Sequence, residues 1–385
     1  MPFYSSLAAH KNAHNKQRNK PNPNQNKQAK LLDRMSKGIR EAPTKAVMNE
    51  LALRSGETPD AAYGLRQSLA TAGALIGSTV STLVFIGTGH NYIATFAAAS
   101  VPPLFALAWL VAQFKDDLLG RGDEAKANAR AKVDKAAAIA AAAAKRAADG
   151  QDPLEDEKPF TLLQKARALV GAFKPAYWQA LLVVAALYFA RFDASFVSLR
   201  AKQVMARGAI PMLFFVSSLI QTFLTAPLAK AAGTGVATRN KLLAAGFFAM
   251  VAANFCFGSS LCATPAGMFA GASLLGLHMA LTHSITVSMV ASYMPTGEVK
   301  GVGKLSGTAV SFTDFLLGFV LAASNVLAGR LSDAAQQAGH GNVGCFAGGA
   351  VACGAALVLL VLFARFGALG RDDEIVAKAR KPKPA

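Results

Sequence analysis

Charge is scarce in this sequence. Charged residues make up 16% of its 385 positions, where a soluble domain carries about 25%. Cysteine is sparse too: Cys256, Cys262, Cys345 and Cys353 are the whole set, and no two form a CxxC pair. That pattern offers no metal-ligand spacing. No HExxH run, phosphate-binding loop or Ser-His-Asp arrangement accompanies the apolar stretches, so no enzymatic chemistry, cofactor or metal is expected. The first 29 residues lack the apolar core of a secretory signal. They are also too rich in Asn and Gln for a transit peptide.

What the chain has instead is apolar length. Hydrophobic residues make up 53% of it. Eight blocks approach or reach the roughly 20 apolar residues that cross about 30 Å of hydrocarbon. They cover residues 67–86, 92–111, 178–199, 210–229, 242–257, 268–294, 307–327 and 343–366. Gly, Pro, Asn and charge fill the gaps between them, as loop residues do. A soluble helical protein would give each helix a polar face. Residues 351–363 have none. The expected fold class is all-α, a polytopic membrane protein. The lipid bilayer is its first partner; plasma membrane and organellar membrane stay open.

The net charge of +18 reads mainly as a topology signal. Lys and Arg gather in alternate connections. Arg54 and Arg66 precede the first block, and residues 115–174 are crowded with cations. Lys230, Arg239 and Lys241 follow the fourth block, and Lys300 and Lys304 the sixth. Arg371, Lys378, Arg380, Lys381 and Lys383 follow the last. The intervening connections at 87–91 and 259–267 have no Lys or Arg. Arg200, Lys202 and Arg207 in the third connection and Arg330 in the seventh are the exceptions. Both ends are therefore expected in the cytosol or its organellar equivalent. Basic residues spread over separate loops do not make a nucleic-acid surface.

Three polar stretches stand apart. Residues 1–29 and the tail 371–385 have the composition of disordered segments. Within 115–175, the Ala-rich run 123–149 with spaced charges favours an exposed helix. Cys256 and Cys353 lie in apolar blocks and read as small core residues. Cys262 and Cys345 lie near helix ends on one side, which leaves a disulfide geometrically open.

Ionisable residues inside spans are costly and face a cavity or a partner. Arg191 and Asp193 fall in the third block, His278 and His283 in the sixth, Asp314 in the seventh. Gln221 lies in the fourth. Taken singly, each could be satisfied by local pairing. Together they place polar groups on four helices and point to a polar cavity, where Asp193, Asp314 and the histidines are candidate proton carriers.

The order of short motifs carries a resemblance. Residues 190–201 read ARFDASFVSLRA, 276–282 read GLHMALT and 305–309 read LSGTA. Earlier, 33–43 read DRMSKGIREAP, 63–69 read YGLRQSL, and Gly73 and Gly77 form a GxxxG. This set resembles bacterial-type transporters of the major facilitator superfamily over roughly residues 30–370. Their seventh, tenth and eleventh helices carry ARFxxxFxxLRA, LHMxLT and LRGTAF; their fourth and fifth carry the two earlier motifs. The resemblance makes the first block helix five and the eighth helix twelve, with polar residues 30–54 standing for helix four. Nothing in the chain corresponds to helices one to three. The implied domains are 30–114, a partial N-terminal half with helices 4–6, and 176–370, a complete six-helix C-terminal half.

The sequence also departs from that pattern. Ser78 stands for a proline, Ala194 for an acidic residue, His283 for glutamine, Ser306 for arginine and Lys30 for arginine. Residues 230–241 keep basic charge but lack the aspartate of the superfamily's loop motif. The resemblance implies secondary active transport of a small solute by alternating access, with protons as the coupling ion. It places Arg191, Asp193, His278, His283 and Asp314 on the C-terminal half's share of the pathway. Arg34, Lys37 and Arg40 line the N-terminal half's share, or are solvated if that helix stands unpaired. Gly73 and Gly77 are expected to pack helices closely. The alternative expectation is a truncated, non-transporting member acting as a membrane scaffold or subunit.

Overall fold

A computed structural model describes residues 56–89, 91–115, 170–294, 298–299 and 303–370, together with isolated positions before and between them. The described architecture is helical, apart from a two-residue antiparallel pairing of Glu298–Val299 with Gly303–Lys304. Eight helical stretches are long and apolar enough to cross a membrane. They coincide with the eight apolar blocks. Most have ends set by local chemistry. Helix α1, Pro59–Gly87, starts behind Thr58, whose hydroxyl accepts from the Ala61 amide. In α2, Tyr92–Gln113, the Asn91 side chain caps the amides of Ile93 and Ala94. Such caps satisfy amides that have no partner inside the helix.

The third stretch departs from expectation. It is two helices, α3 (Pro175–Ala190) and α4 (Ala194–Val204), separated by Arg191, Phe192 and Asp193. The remaining helices are α5 (Ile210–Ala232), α6 (Val236–Gly258), α7 (Pro265–Ser292), α8 (Leu305–Gln337) and α9 (Gly344–Arg365).

Helix α7 is the hub. Of its apolar window 67% is buried, against none of that in α2. It packs between α5 and α6; α6 then meets α9, and α9 meets α3 and α8. Helix α1 lies along α5 and touches α7, and α2 packs on α1. Lipid tails are as apolar as leucine, so close packing of small residues must hold such helices together. A Cβ built on Gly276 of α7 would lie 2.7 Å from the Ser217 carbonyl oxygen of α5. One on Gly246 of α6 would lie 2.9 Å from Leu281 Cβ of α7. Helix α1 meets α5 at Gly64, which faces Ala229. Beside Pro227, which interrupts the α5 ladder, the Ala226 amide donates to Ser68 of α1 at 3.0 Å.

Gly73 and Gly77 behave differently from expectation. Both are exposed, and among the described residues nothing lies within 4 Å of a Cβ on either. The close glycine contact of α1 is at Gly64, nearer its start. Arg239 is not a solvated loop cation either. It lies in α6, is 4% exposed, and donates to the Tyr293 hydroxyl at 2.8 Å. Arg200, an exception to the charge pattern, donates from Nε to the Phe257 carbonyl in the last turn of α6 at 3.0 Å. A cation at a helix C-terminus is favourable there. All four cysteines are free, so no Cys262–Cys345 disulfide forms.

The expectations for residues 1–29, for Arg34, Lys37 and Arg40 and for the tail 371–385 fall outside the described residues. In the run 123–149, the described positions 126, 130, 133, 134, 137 and 141 are helical and exposed, as its composition implies.

Candidate functional site

The buried apolar side chains form two clusters, one above the other along the helices. One gathers Tyr177, Val184 and Leu187 of α3 with Phe247 of α6, Ile285 and Met289 of α7 and Leu360 of α9. The other gathers Val197 of α4, Leu213 of α5, Phe257 of α6, Met268 of α7 and Phe346 of α9. Arg191 lies between them in chain order, and so do His278 and Thr282 on α7.

The break in the third span is built from its residues upward. Arg191 closes α3 with a tightened bond from its amide to the Tyr188 carbonyl at 3.1 Å. Asp193 then takes an extended conformation and caps α4, its carboxylate accepting from the Ser195 amide at 2.8 Å. Unwinding a helix frees backbone groups, and inside a membrane protein those groups must find partners. Helix α8 supplies them. Ser324 donates to the Phe189 carbonyl at 3.1 Å, and the Asn325 side-chain oxygen accepts from the Asp193 amide at 2.8 Å. The Phe192 ring fills the corner edge-on against Phe196 and Phe346.

Arg191 points into a set of neutral partners. Its Nε donates to His278 Nε2 at 3.3 Å, and Nη2 donates to Thr282 Oγ1. Its guanidinium lies over the Tyr188 ring, 5.5 Å from the centroid. His278 and Thr282 are both fully buried. The tautomer of His278 follows from its partners. The Gly246 carbonyl, 2.8 Å from Nδ1, can only accept, so Nδ1 carries the proton. Nε2 then holds the lone pair that receives the Arg191 hydrogen. Thr282 donates its own proton to the His278 carbonyl at 2.7 Å, leaving its oxygen to accept from Arg191.

Next to this cluster is a cavity of about 40 Å³, bounded by α1, α3, α7 and α8. Tyr63, Tyr188, Thr286, Thr313 and Asp314 supply its polar wall, and valines, Leu317 and Met294 the rest. That volume suits water rather than a solute. Tyr188 belongs to both places, through its ring under Arg191 and its share of the cavity wall.

The structure thus brings Arg191, His278 and Thr282 into contact and puts Asp314 on the adjoining wall. Asp193 is exposed at the break, held to α4 and α8. His283 is half-buried on α7, its carbonyl accepting from Thr286 at 3.1 Å. Gln221 serves α5 itself, its amide donating to the Ser217 carbonyl at 3.3 Å. Sequence reasoning passed over Tyr188 and Thr313, ordinary apolar-block residues until their neighbours are known, and took Tyr63 only as part of a motif. It also passed over Asp60, 7% exposed near the start of α1 and attracted to Arg239 of α6. Compared with protein-family models, curated proteins and solved structures, the chain matches none.

Proposed function

We propose that the chain is a secondary active transporter of a small solute, working by alternating access in a partial major-facilitator arrangement, with protons as the coupling ion. The observation that carries this reading is the helix break at Arg191–Asp193, with Arg191 docked on neutral His278. Interrupted membrane helices at a polar cavity are a recurring way of presenting a solute site. The order of the sequence motifs, from residue 30 to 370, supports the same family reading.

Coupling follows from the chemistry of one nitrogen. His278 Nε2 can accept from Arg191 or carry a proton, and it cannot do both. A proton arriving there dislodges Arg191, and a solute that draws Arg191 away leaves Nε2 open to a proton. Asp193, Asp314 and His283 are the other candidate proton carriers around this centre. The cavity of about 40 Å³ then belongs to a closed conformation, and a more open one admits the solute.

The test is uptake of a mixed panel of labelled solutes into proteoliposomes carrying the full-length chain under an imposed pH gradient. Gradient-driven uptake of at least one solute is expected, abolished by His278→Ala. Absence of flux for every solute overturns transport and leaves the scaffold or subunit reading. That second reading has one observation in its favour: none of the described residues of α2 is buried and most are exposed, an open flank for another membrane protein.

A further inference from the structure

Arg191 is a cation at the centre of the helical bundle, and every group that holds it is neutral. Its partners are a histidine lone pair, a threonine oxygen and the face of a tyrosine ring. Among the described residues no carboxylate comes within 4 Å of it. A guanidinium in low-dielectric surroundings strongly favours a counter-charge, and its planar fork fits a carboxylate through two parallel bonds. We propose that Arg191 is the anion-binding residue of the solute site and that the solute is a monocarboxylate with an apolar body. This rests on the transport reading only for the word solute; the binding site is argued from geometry.

The neighbouring cavity sets the rest of the class. Its walls near Tyr188 are Val184, Val290 and Leu317, which suit an aliphatic or aromatic body. Asp314 shares that wall with Tyr63. A second carboxylate on the ligand would meet Asp314, so dicarboxylates are disfavoured. Asp193 lies at the break itself and is already engaged by Ser195, serving as the cap of α4. The carboxylate would take the place on Arg191 now held by His278 Nε2 and Thr282, the two neutral acceptors. Helix α4 begins beside Arg191, but its first amides are capped by Asp193 and are not part of the site.

The experiment is equilibrium binding to the purified full-length protein in lipid nanodiscs, with benzoate as the probe. Benzamide, benzylammonium and succinate are the neutral, cationic and dianionic comparators. Benzoate is expected to bind and the three comparators to bind much more weakly. Arg191→Gln should weaken benzoate by about thirtyfold or more, the loss typical of removing one partner of a buried charged pair. Arg191→Lys, which keeps charge but loses the fork, should fall between the two and guards against a variant that fails to fold. Benzamide binding as well as benzoate, or benzoate binding unchanged in folded Arg191→Lys and Arg191→Gln, overturns the anion site. Proteoliposome flux separates the two ideas. Benzoate binding without any flux sinks transport and keeps the site. Flux of a cation or neutral solute that survives Arg191→Gln sinks the site and keeps transport.

Discussion

Two glycines, one mutation each, test how this bundle is packed. Gly276 of α7 lies against the α5 backbone: an added Cβ would sit 2.7 Å from the Ser217 carbonyl oxygen and 2.9 Å from Ser217 Cα. Backbone atoms cannot rotate aside as a side-chain tip can, so α5 and α7 must separate. Overpacking of this kind costs about 1–3 kcal/mol. Gly77 of α1 is the opposite case, with nothing among the described residues within 4 Å of its Cβ. Alanine there removes a flexible residue from a helix interior and gains about 0.5–1 kcal/mol. The two Gly→Ala changes therefore carry opposite signs. At about 2–4 °C per kcal/mol for a domain of this size, Gly276→Ala should lower the apparent midpoint by about 2–12 °C. Gly77→Ala should raise it by about 1–4 °C. A thiol-reactive dye offers the readout, because Cys345 and Cys353 are buried and become reactive only as the bundle opens. Scan rate must be held fixed, since unfolding of such proteins is commonly irreversible. A midpoint that rises for Gly276→Ala, or falls for Gly77→Ala, refutes the packing argument.

Further outcomes follow from other contacts. Asp193→Asn keeps a good N-cap and removes the charge, while Asp193→Ala removes both. Alanine should cost about 1 kcal/mol more in thermal stability than asparagine, and equal loss of uptake in the two would assign Asp193 a role through its charge. Tyr177→Phe deletes the buried 2.8 Å bond to Thr313 and should cost about 0.6–1.5 kcal/mol; an unchanged midpoint counts against that bond. Asp60 and Arg239 are both buried and attract across α1 and α6. A double-mutant cycle of Asp60→Asn and Arg239→Met should return a coupling of about 0.5–3 kcal/mol, and strict additivity would show them independent. Cys262 and Cys345 should both be alkylated under non-reducing conditions once the protein is denatured; protection until reductant is added would reveal a bond between them.

The spans were legible because the signal is coarse. A run such as 343–366 can scarcely do anything but cross a bilayer or lie buried, and no knowledge of its neighbours is needed. The break in the third span was hidden inside an otherwise apolar block. Its local mark was there in Asp193, a strong helix-capping residue two positions before Ser195. Arg191 and His278 stood out as ionisable groups in apolar surroundings, yet the identity of their partners depends on how α3 meets α7, which no local pattern records. The same limit explains the glycines. Small-residue spacing marks a face on which a helix can come close, and Gly73 and Gly77 share such spacing. Which helix arrives, and at what height, is decided by tertiary packing, and on α1 it is decided at Gly64. Arg239 was read as loop charge because it lies just ahead of an apolar block; its burial comes from the Tyr293 hydroxyl and ring of another helix.

A gap in a helix is often pictured as a loose joint. Here adjacent residues of α8, Ser324 and Asn325, grip the backbone on both sides of the gap, one at Phe189 and the other at Asp193. Adjacent residues on one helix cannot slide apart, so they act as a splint. The lower piece of the span cannot swing against the upper without breaking both of these bonds. Helices α3, α4 and α8 then travel as one lever. Flexing falls to the seams around it, and the Arg191 backbone, at the lever's elbow, moves with the whole lever while its side chain stays free to change partners.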